Sequence, residues 1–389
     1  MPVKDTRGKG LATVEDYYQD YDSRARELRS QGKKIIGYLC AFTPLEIITA
    51  AGLIPFRIKG DVNEPITLAD TQMETIACPL VRSCFDMSLK GHYDFLDGLV
   101  IPHACDSICR TYDIWKYSLD LPYCHLINTP HLTDDSSLEF FKAELNTFRK
   151  SLGKFAGKEI SDDSLAQAVK TYNENRARVR ELYELRKSDP PQISGAEITK
   201  VLVAAMGIPI EESIEMISGV IDEVKQRATV PTKRSPRIMV VGGQVDDVAF
   251  ADLIENSGAS VVADDLCPGS REHRADVEVT KEPMDGIAER YLRKINCART
   301  YREKKGTYQE YLETRFGHIG HAIEDFKVDG VVLYIYKYCD PFGFEVPAMK
   351  SYIESLGTPV LYLEDEYSMS TIGRLRTRIQ AFLELISSR

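Results

Sequence analysis

The feature that most constrains this chain is a run of short apolar segments alternating with amphipathic ones, met twice along the sequence. In the first part, "KKIIGYLC" (33–40), "LIPFRIKG" (53–60), "YDFLDGLVIPHAC" (93–105) and "LPYCHLINTP" (121–130) read as strands. "TPLEIITAAG", a stretch beginning near Pro79 and "DSICRTYDIWKYSLD" read as helices between them. Pro44 suits a helix start and Gly52 a helix stop. The alternation resumes after 236. There "RIMVVGG", "ASVVADDLC", "GVVLYIYKYC" and "TPVLYLED" read as strands, and "VDDVAFADLIENSG", "GIAERYLRKINC", "FEVPAMKSYIESLG" and "STIGRLRTRIQAFLELI" are among the helices. Strands alternating with helices predict an α/β chain whose parallel sheets are covered on both faces.

Between the two parts the texture is helical throughout, with Ser161 and Ser194 placed as N-caps. The expected organisation is an N-terminal α/β domain over 1–132, a helical region over 133–235 and a C-terminal α/β domain over 236–389. "RATVPTKRSP" (227–236) is the expected boundary, and residues 10–32 are expected to form a charged helix. A chain of 389 residues, 43% hydrophobic and 28% charged, is globular and long enough for more than one core.

Net charge is −10 with no basic tract, which makes nucleic acid and anionic membrane surfaces poor partners. No apolar run reaches the length of a membrane span. The N-terminus carries no signal-peptide pattern, so the expected location is cytoplasmic.

Nine cysteines are present. A reducing compartment argues against a disulfide framework. Two readings remain: small buried hydrophobes, or metal ligands. Position favours the second. In an open parallel sheet, ligands bind outside the carboxyl ends of the strands. Cys40, Cys105, Cys267 and Cys339 all fall at expected strand ends, two from each half. Cys109 follows Cys105 by four residues, one helical turn on. Cys78 precedes Pro79 at an expected helix start, where the macrodipole favours thiolate. Cys84 has no clear direction, Cys124 reads as core, and Cys297 ends an expected helix with no role assigned. Paired CxxC knuckles and the ferredoxin run are absent, so the spacing fits an iron–sulfur cluster set between strand ends better than zinc. His103, beside this set, is a candidate proton donor. Glu46, in the first turn after Cys40, is a candidate acid or base; its alternative is a solvated first-turn carboxylate. "VVGGQVDD" lacks GxGxxG, and neither a P-loop nor a serine elbow is present. "CPGSR" (267–271) is an anion-binding turn with Arg271, or simply a turn.

At "GYLCAFTPLEIITAAG", "CPLVRSCF", "DFLDGLVIPHACDSICRTYDIWKY", "VVADDLCPGSR" and the long segment from Asp329 to Glu384, the chain resembles the 2-hydroxyacyl-CoA dehydratase and benzoyl-CoA reductase family. The resemblance runs from about 33 to 387. It implies two flavodoxin-like domains around a [4Fe-4S] cubane, with ligands that match Cys78, Cys105 and Cys339. It also implies electrons from a separate ATP-hydrolysing iron–sulfur activator, a homodimer or a heterodimer with a paralogous subunit, and an acyl-CoA substrate. The surplus cysteines, Cys40, Cys109 and Cys267, point to the double-cubane branch, whose [8Fe-9S] group acts on small unsaturated molecules. The expected function is therefore low-potential reduction at one cubane or two. The alternative is a non-catalytic electron-relay or structural subunit.

Overall fold

The computed structural model describes residues 10–227 and 234–388; most of the expected boundary at 227–236 lies outside them. Eight strands form two four-stranded, all-parallel sheets. The first comprises β1 (Ile35–Tyr38), β2 (Ile54–Arg57), β3 (Gly98–Pro102) and β4 (Cys124–Ile127), in the order β2-β1-β3-β4. The second comprises β5 (Arg237–Gly242), β6 (Ser260–Asp265), β7 (Gly330–Tyr336) and β8 (Val360–Asp365), in the order β6-β5-β7-β8. The same order occurs twice. In each sheet the direction of strand succession reverses beside the first strand, between β1 and β3 and between β5 and β7. Such switch points are where crossover loops part and leave a crevice.

The strands are short and almost continuously apolar because both faces of each sheet are covered; β1, β3, β5 and β7 are buried along their whole length. Gly242 closes β5 where a Cβ would stand 2.2 Å from the Tyr334 carbonyl oxygen on β7. At the start of the first sheet, the Asp97 carboxylate accepts from Ile35 N–H at 2.8 Å.

Helices α1 (Leu11–Gln19) and α2 (Ser23–Ser30) precede the first sheet. The single helix expected over 10–32 is interrupted at Asp20–Asp22, where turn-forming aspartates interrupt the apolar repeat. Helices α3 (Leu45–Ala50), α4 (Pro79–Leu89) and α5 (Asp106–Ser118) connect or follow the strands. Four helices come next: α6 (Asp135–Ala156), α7 (Asp162–Glu184), α8 (Gly195–Ala205) and α9 (Ile210–Lys225). Ser161 and Ser194 cap α7 and α8 as expected, and Ser194 forms a capping box with Glu197. The second half adds α10 (Val248–Asn256), α11 (Ser270–His273), α12 (Pro283–Glu289), α13 (Tyr308–Asp325), α14 (Asp340–Ser355) and α15 (Ile372–Ser387).

The helical stretch does not stand apart. Helix α7 packs on α3 and α9, α12 packs on α6 and α7, and α8 packs on α1 and α10. One apolar cluster accordingly runs from Ile36 and Val100 through Phe141 and Phe148 to Ile287 and Leu292. The helix expected to lead to Cys297 ends earlier. After α12 the chain makes a π-helical turn over Arg290–Lys294, and Cys297 lies in the loop beyond. No helix among the described residues is long and apolar enough to cross a membrane.

Candidate metal centre

Each expected ligand loop leaves a strand or opens a helix at the carboxyl edge of a sheet. Cys40 lies two residues past β1 and Cys267 two past β6; Cys78, Cys105 and Cys339 are the N-cap residues of α4, α5 and α14. Two of these loops use a left-handed backbone at a non-glycine residue: Cys40 has φ 68° and Tyr338, just before Cys339, φ 62°. That conformation costs about 1–2 kcal/mol, and here it turns the chain sharply at the strand end.

The thiols fall into two neighbourhoods. Burial pushes Cys40 up to about 12, and the charges of Cys267 and Cys297 add to the rise. Burial also raises Cys267, with Cys297 acting on it in the same sense while Arg271 and Arg57 oppose. In the other neighbourhood burial pushes Cys105 up to about 12; the N–H of Ile108 opposes, and Cys78, Cys109 and Cys297 contribute. Cys339 is raised by burial, then by Cys78, Cys105 and Cys297. Cys78 is raised by burial, against the N–H groups of Val81 and Leu80 at the start of α4. Cys297, unassigned from the sequence, acts electrostatically on Cys40, Cys267, Cys105 and Cys339 alike. Its flanking residues give no sign of this, because it reaches the site through the loop after a helix rather than at a strand end.

Cys109 sits at the margin. It is half-buried on α5 and is pushed up to about 11 by burial and by Asp106 and Asp113 on its own helix. Cys84 is fully buried in an apolar cluster with Phe85 and Trp115, and Cys124 packs at the side of that cluster on β4.

Three buried arginines, Arg57, Arg271 and Arg299, act electrostatically on the thiols, and Arg271 also touches one. Arg57, at the end of β2, gives Nη2 to Gln244 at 2.8 Å and Nη1 to Glu272 at 3.3 Å, both in the second half. Arg271 donates Nη1 to Cys267 Sγ at 3.2 Å and Nη2 to Asp265 at 2.9 Å. Arg299 reaches the opposite way, into the first half. It donates to the carbonyls of Ala104 (3.1 Å), His103 (3.2 Å) and Thr129 (2.8 Å), over the ring of Phe42 at 4.7 Å. Burial lowers the Arg299 guanidinium, and the groups that support its charge are Cys297, Cys40, Cys105 and Cys109. Each of the three keeps one buried N–H without a partner: Arg57 Nε, Arg271 Nε and Arg299 Nη1. The guanidinium that touches a thiol, Arg271 on Cys267 Sγ at 3.2 Å, fits a thiolate there better than a neutral thiol.

Among the described residues, no three His, Cys, Asp or Glu side chains stand close enough to hold one metal ion.

The two acid–base candidates lie in different settings. His103 is half-buried, its ring edge-on to His131 at 5.6 Å, with its carbonyl holding Arg299. His131 in turn meets the Arg299 carbonyl through Nδ1 at 2.8 Å. Glu46 is not a solvated first-turn carboxylate: it is fully buried. Arg176 donates to Oε1 and the Tyr291 hydroxyl to Oε2 at 2.8 Å, so both oxygens are engaged. Burial alone would raise its carboxyl, but Arg176 and Arg290 outweigh it and hold Glu46 below the usual range. First-turn position misleads here, because the partners come from α7 and the turn after α12. The "CPGSR" segment places Arg271 on the Cys267 thiol.

The sequence profile described as "2-hydroxyglutaryl-CoA dehydratase, D-component" matches residues 40–386. The chain belongs to this family. It is similar to a benzoyl-CoA reductase subunit of Thauera aromatica, at 28% identity over 93% of this chain and 95% of that one. It is also similar to the (R)-phenyllactyl-CoA dehydratase beta subunit of Clostridium sporogenes, at 26% identity over 93% and 94%. A putative dehydratase subunit, YjiM, of Escherichia coli K12 shares 28% identity over 92% and 93%. The family reading reached from the cysteine loops and the C-terminal segment holds, as does the two-sheet α/β fold.

Proposed function

We propose that the chain performs low-potential reduction at an iron–sulfur group held by Cys78, Cys105 and Cys339, with Cys40, Cys267 and Cys297 as a second set of ligands. The observation that supports this reading is the placement of Cys40, Cys105, Cys267 and Cys339 at strand ends or helix starts of both sheets, with Arg271 Nη1 3.2 Å from Cys267 Sγ and Cys297 acting on all four. A [4Fe-4S] cubane or an [8Fe-9S] double cubane would supply one-electron chemistry there. The chain's own residues bind that group through thiolates, compensate its charge through Arg57, Arg271 and Arg299, and keep water away by burial. Cys297 replaces Cys109 as the sixth ligand in this proposal because it acts on thiols of both neighbourhoods. His103 remains the candidate proton donor beside Cys105. Electrons would come from a separate ATP-hydrolysing iron–sulfur activator, and the substrate would be an acyl-CoA or a small unsaturated molecule.

The relatives are named as subunits, which favours assembly with a paralogous subunit. It also keeps a second reading in play, a non-catalytic relay subunit. Turnover by the purified chain alone, given activator and ATP, would exclude the relay.

Anaerobic iron and sulfide counting with EPR tests the main reading. About four irons per chain indicate one cubane and about eight the double group. Cys105→Ala and Cys339→Ala are expected to lose iron. Cys297→Ala is expected to lose the second half of an eight-iron content, and Cys109→Ala to keep it. No iron in the wild type, or full iron in both Cys105→Ala and Cys339→Ala, overturns the reading.

A further inference from the structure

We propose that the cavity walled by Arg176, Glu272, His273 and Tyr291 binds one small monovalent anion, of halide or formate size, as the counter-charge to Arg290. The site goes beyond the iron–sulfur reading above and does not depend on it.

The cavity has a volume of about 50 Å³ and lies where three parts of the chain meet. Leu45 comes from the first half, Arg176 and Ile210 from α7 and α9, and Glu272, His273 and Tyr291 from the second half. One water needs about 10–15 Å³, so a group of a few atoms fits and an acyl chain or a nucleotide does not. Leu45 and Ile210 make part of the wall apolar, which favours a weakly hydrated anion such as bromide over sulfate.

The charged side chains at and behind this wall pair up and leave one cation over. Arg176 is paired with Glu46, and Arg57 with Glu272 at 3.3 Å. Arg290 makes no ion pair with a carboxylate among the described residues. Its Nε donates to the Ala275 carbonyl at 2.9 Å and its Nη2 to the Glu272 carbonyl, and its guanidinium lies over the Tyr291 ring at 4.5 Å. It is 1% exposed, and its Nη1 is buried without a partner. A buried guanidinium in that state is costly until a counter-charge and the missing hydrogen bond are supplied. His273, on the cavity wall, likewise keeps a buried Nδ1 without a partner. Burial, then the charges of Arg176 and Arg290, push its imidazole down to about 3, so the ring is neutral and can donate a proton from Nδ1. Water can accept such bonds but leaves the guanidinium uncompensated. A monovalent anion accepts them and balances the charge, whereas a divalent one overshoots a single surplus cation. The carbonyls that Arg290 holds belong to α11 and the turn after it, the segment that also sets Arg271 against Cys267 Sγ at 3.2 Å. Anion binding at Arg290 therefore also fixes that segment.

The test uses the full-length protein, kept anaerobic and exchanged into halide-free gluconate buffer. Bromide is added at constant ionic strength, and crystals grown with bromide are measured on both sides of the bromine absorption edge. A bromine peak is expected in the cavity, beside His273 and Tyr291, together with a thermal midpoint that rises with bromide concentration. Formate should displace the bromide and sulfate should not. Arg290→Gln and His273→Ala should each weaken bromide binding about tenfold or more. His273→Ala keeps the guanidinium, and it replaces Arg290→Gln as the deciding variant if that chain does not fold. A cavity without a bromine peak overturns the proposal. So does displacement by sulfate as readily as by formate, or a bromide affinity unchanged in the deciding variant. Iron is counted in the same preparations: bromide bound to a chain that holds no iron leaves the anion site standing and overturns the function reading alone.

Discussion

Glu46 shows how far one side chain's role depends on partners that are distant in sequence. Its position in the first turn of α3 suggests a solvated carboxylate, yet Arg176 lies 130 residues away and Tyr291 245. Glu46→Gln leaves Arg176 and Arg290 buried with less negative charge between them. Removing one partner of a buried pair costs about 3–5 kcal/mol, so urea unfolding at pH 7 should show a loss of that order. The sign of the pH dependence follows from the depressed carboxyl. As pH falls, the unfolded chain protonates Glu46 first, at the ordinary value of about 4.3. The pair's contribution is therefore complete above that value and is lost as pH falls through the lower folded-state value. The gap between wild type and Glu46→Gln should narrow below about pH 4. A gap that stays constant from pH 7 to pH 3 would show that Glu46 is not charged in the folded chain. Cys297 and Arg299 present the same difficulty in reverse. Nothing local in "NCART" marks either residue, because their importance lies in what the fold sets beside them. Ser161 and Ser194 are legible since a cap is satisfied within its own first turn.

At the scale of elements, the sequence signal is strongest for the strands. All eight are readable as short apolar runs bounded by polar turns, most plainly β1, β3, β5 and β7, which are buried along their whole length. The ends are less legible. "YDFLDGLVIPHAC" yields a strand only over Gly98–Pro102, since Asp97 turns its carboxylate back to the start of β1. The stop at the π-helical turn over Arg290–Lys294 is set by tertiary contacts: the Arg290 guanidinium is drawn to the carbonyls of Glu272 and Ala275. Gly242 offers a test of how tightly the second sheet's switch point is built. Gly242→Ala places a methyl against the Tyr334 carbonyl. The β5–β7 pairing must spread to accept it, with an expected loss of about 1–3 kcal/mol. Thermal unfolding measures the loss, and an unchanged midpoint would mean that the strands part there without cost.

The whole molecule is less divided than its sequence texture suggests. The helical stretch reads as a separate module because its periodicity changes, but its apolar faces are shared with α3, α10 and α12. Periodicity reports which face of a helix is apolar and not which element covers it.

Arg57 and Arg299 carry a mechanical consequence. Each is rooted in one half and holds the other, and they reach in opposite directions across the same junction. A hinge that opened by degrees would have to stretch both sets of hydrogen bonds, whose strength falls off within about an ångström of extension. The junction should therefore resist a small pull and release as a unit, with a threshold. Hydrogen exchange can see this. The amides of His103, bonded to the Ile127 carbonyl, and of Tyr301, bonded to the His131 carbonyl, should become exposed in the same opening event. Independent opening of the two would mean that the arginines hold each half separately, and that the halves yield like a spring. Joint opening would make them a latch.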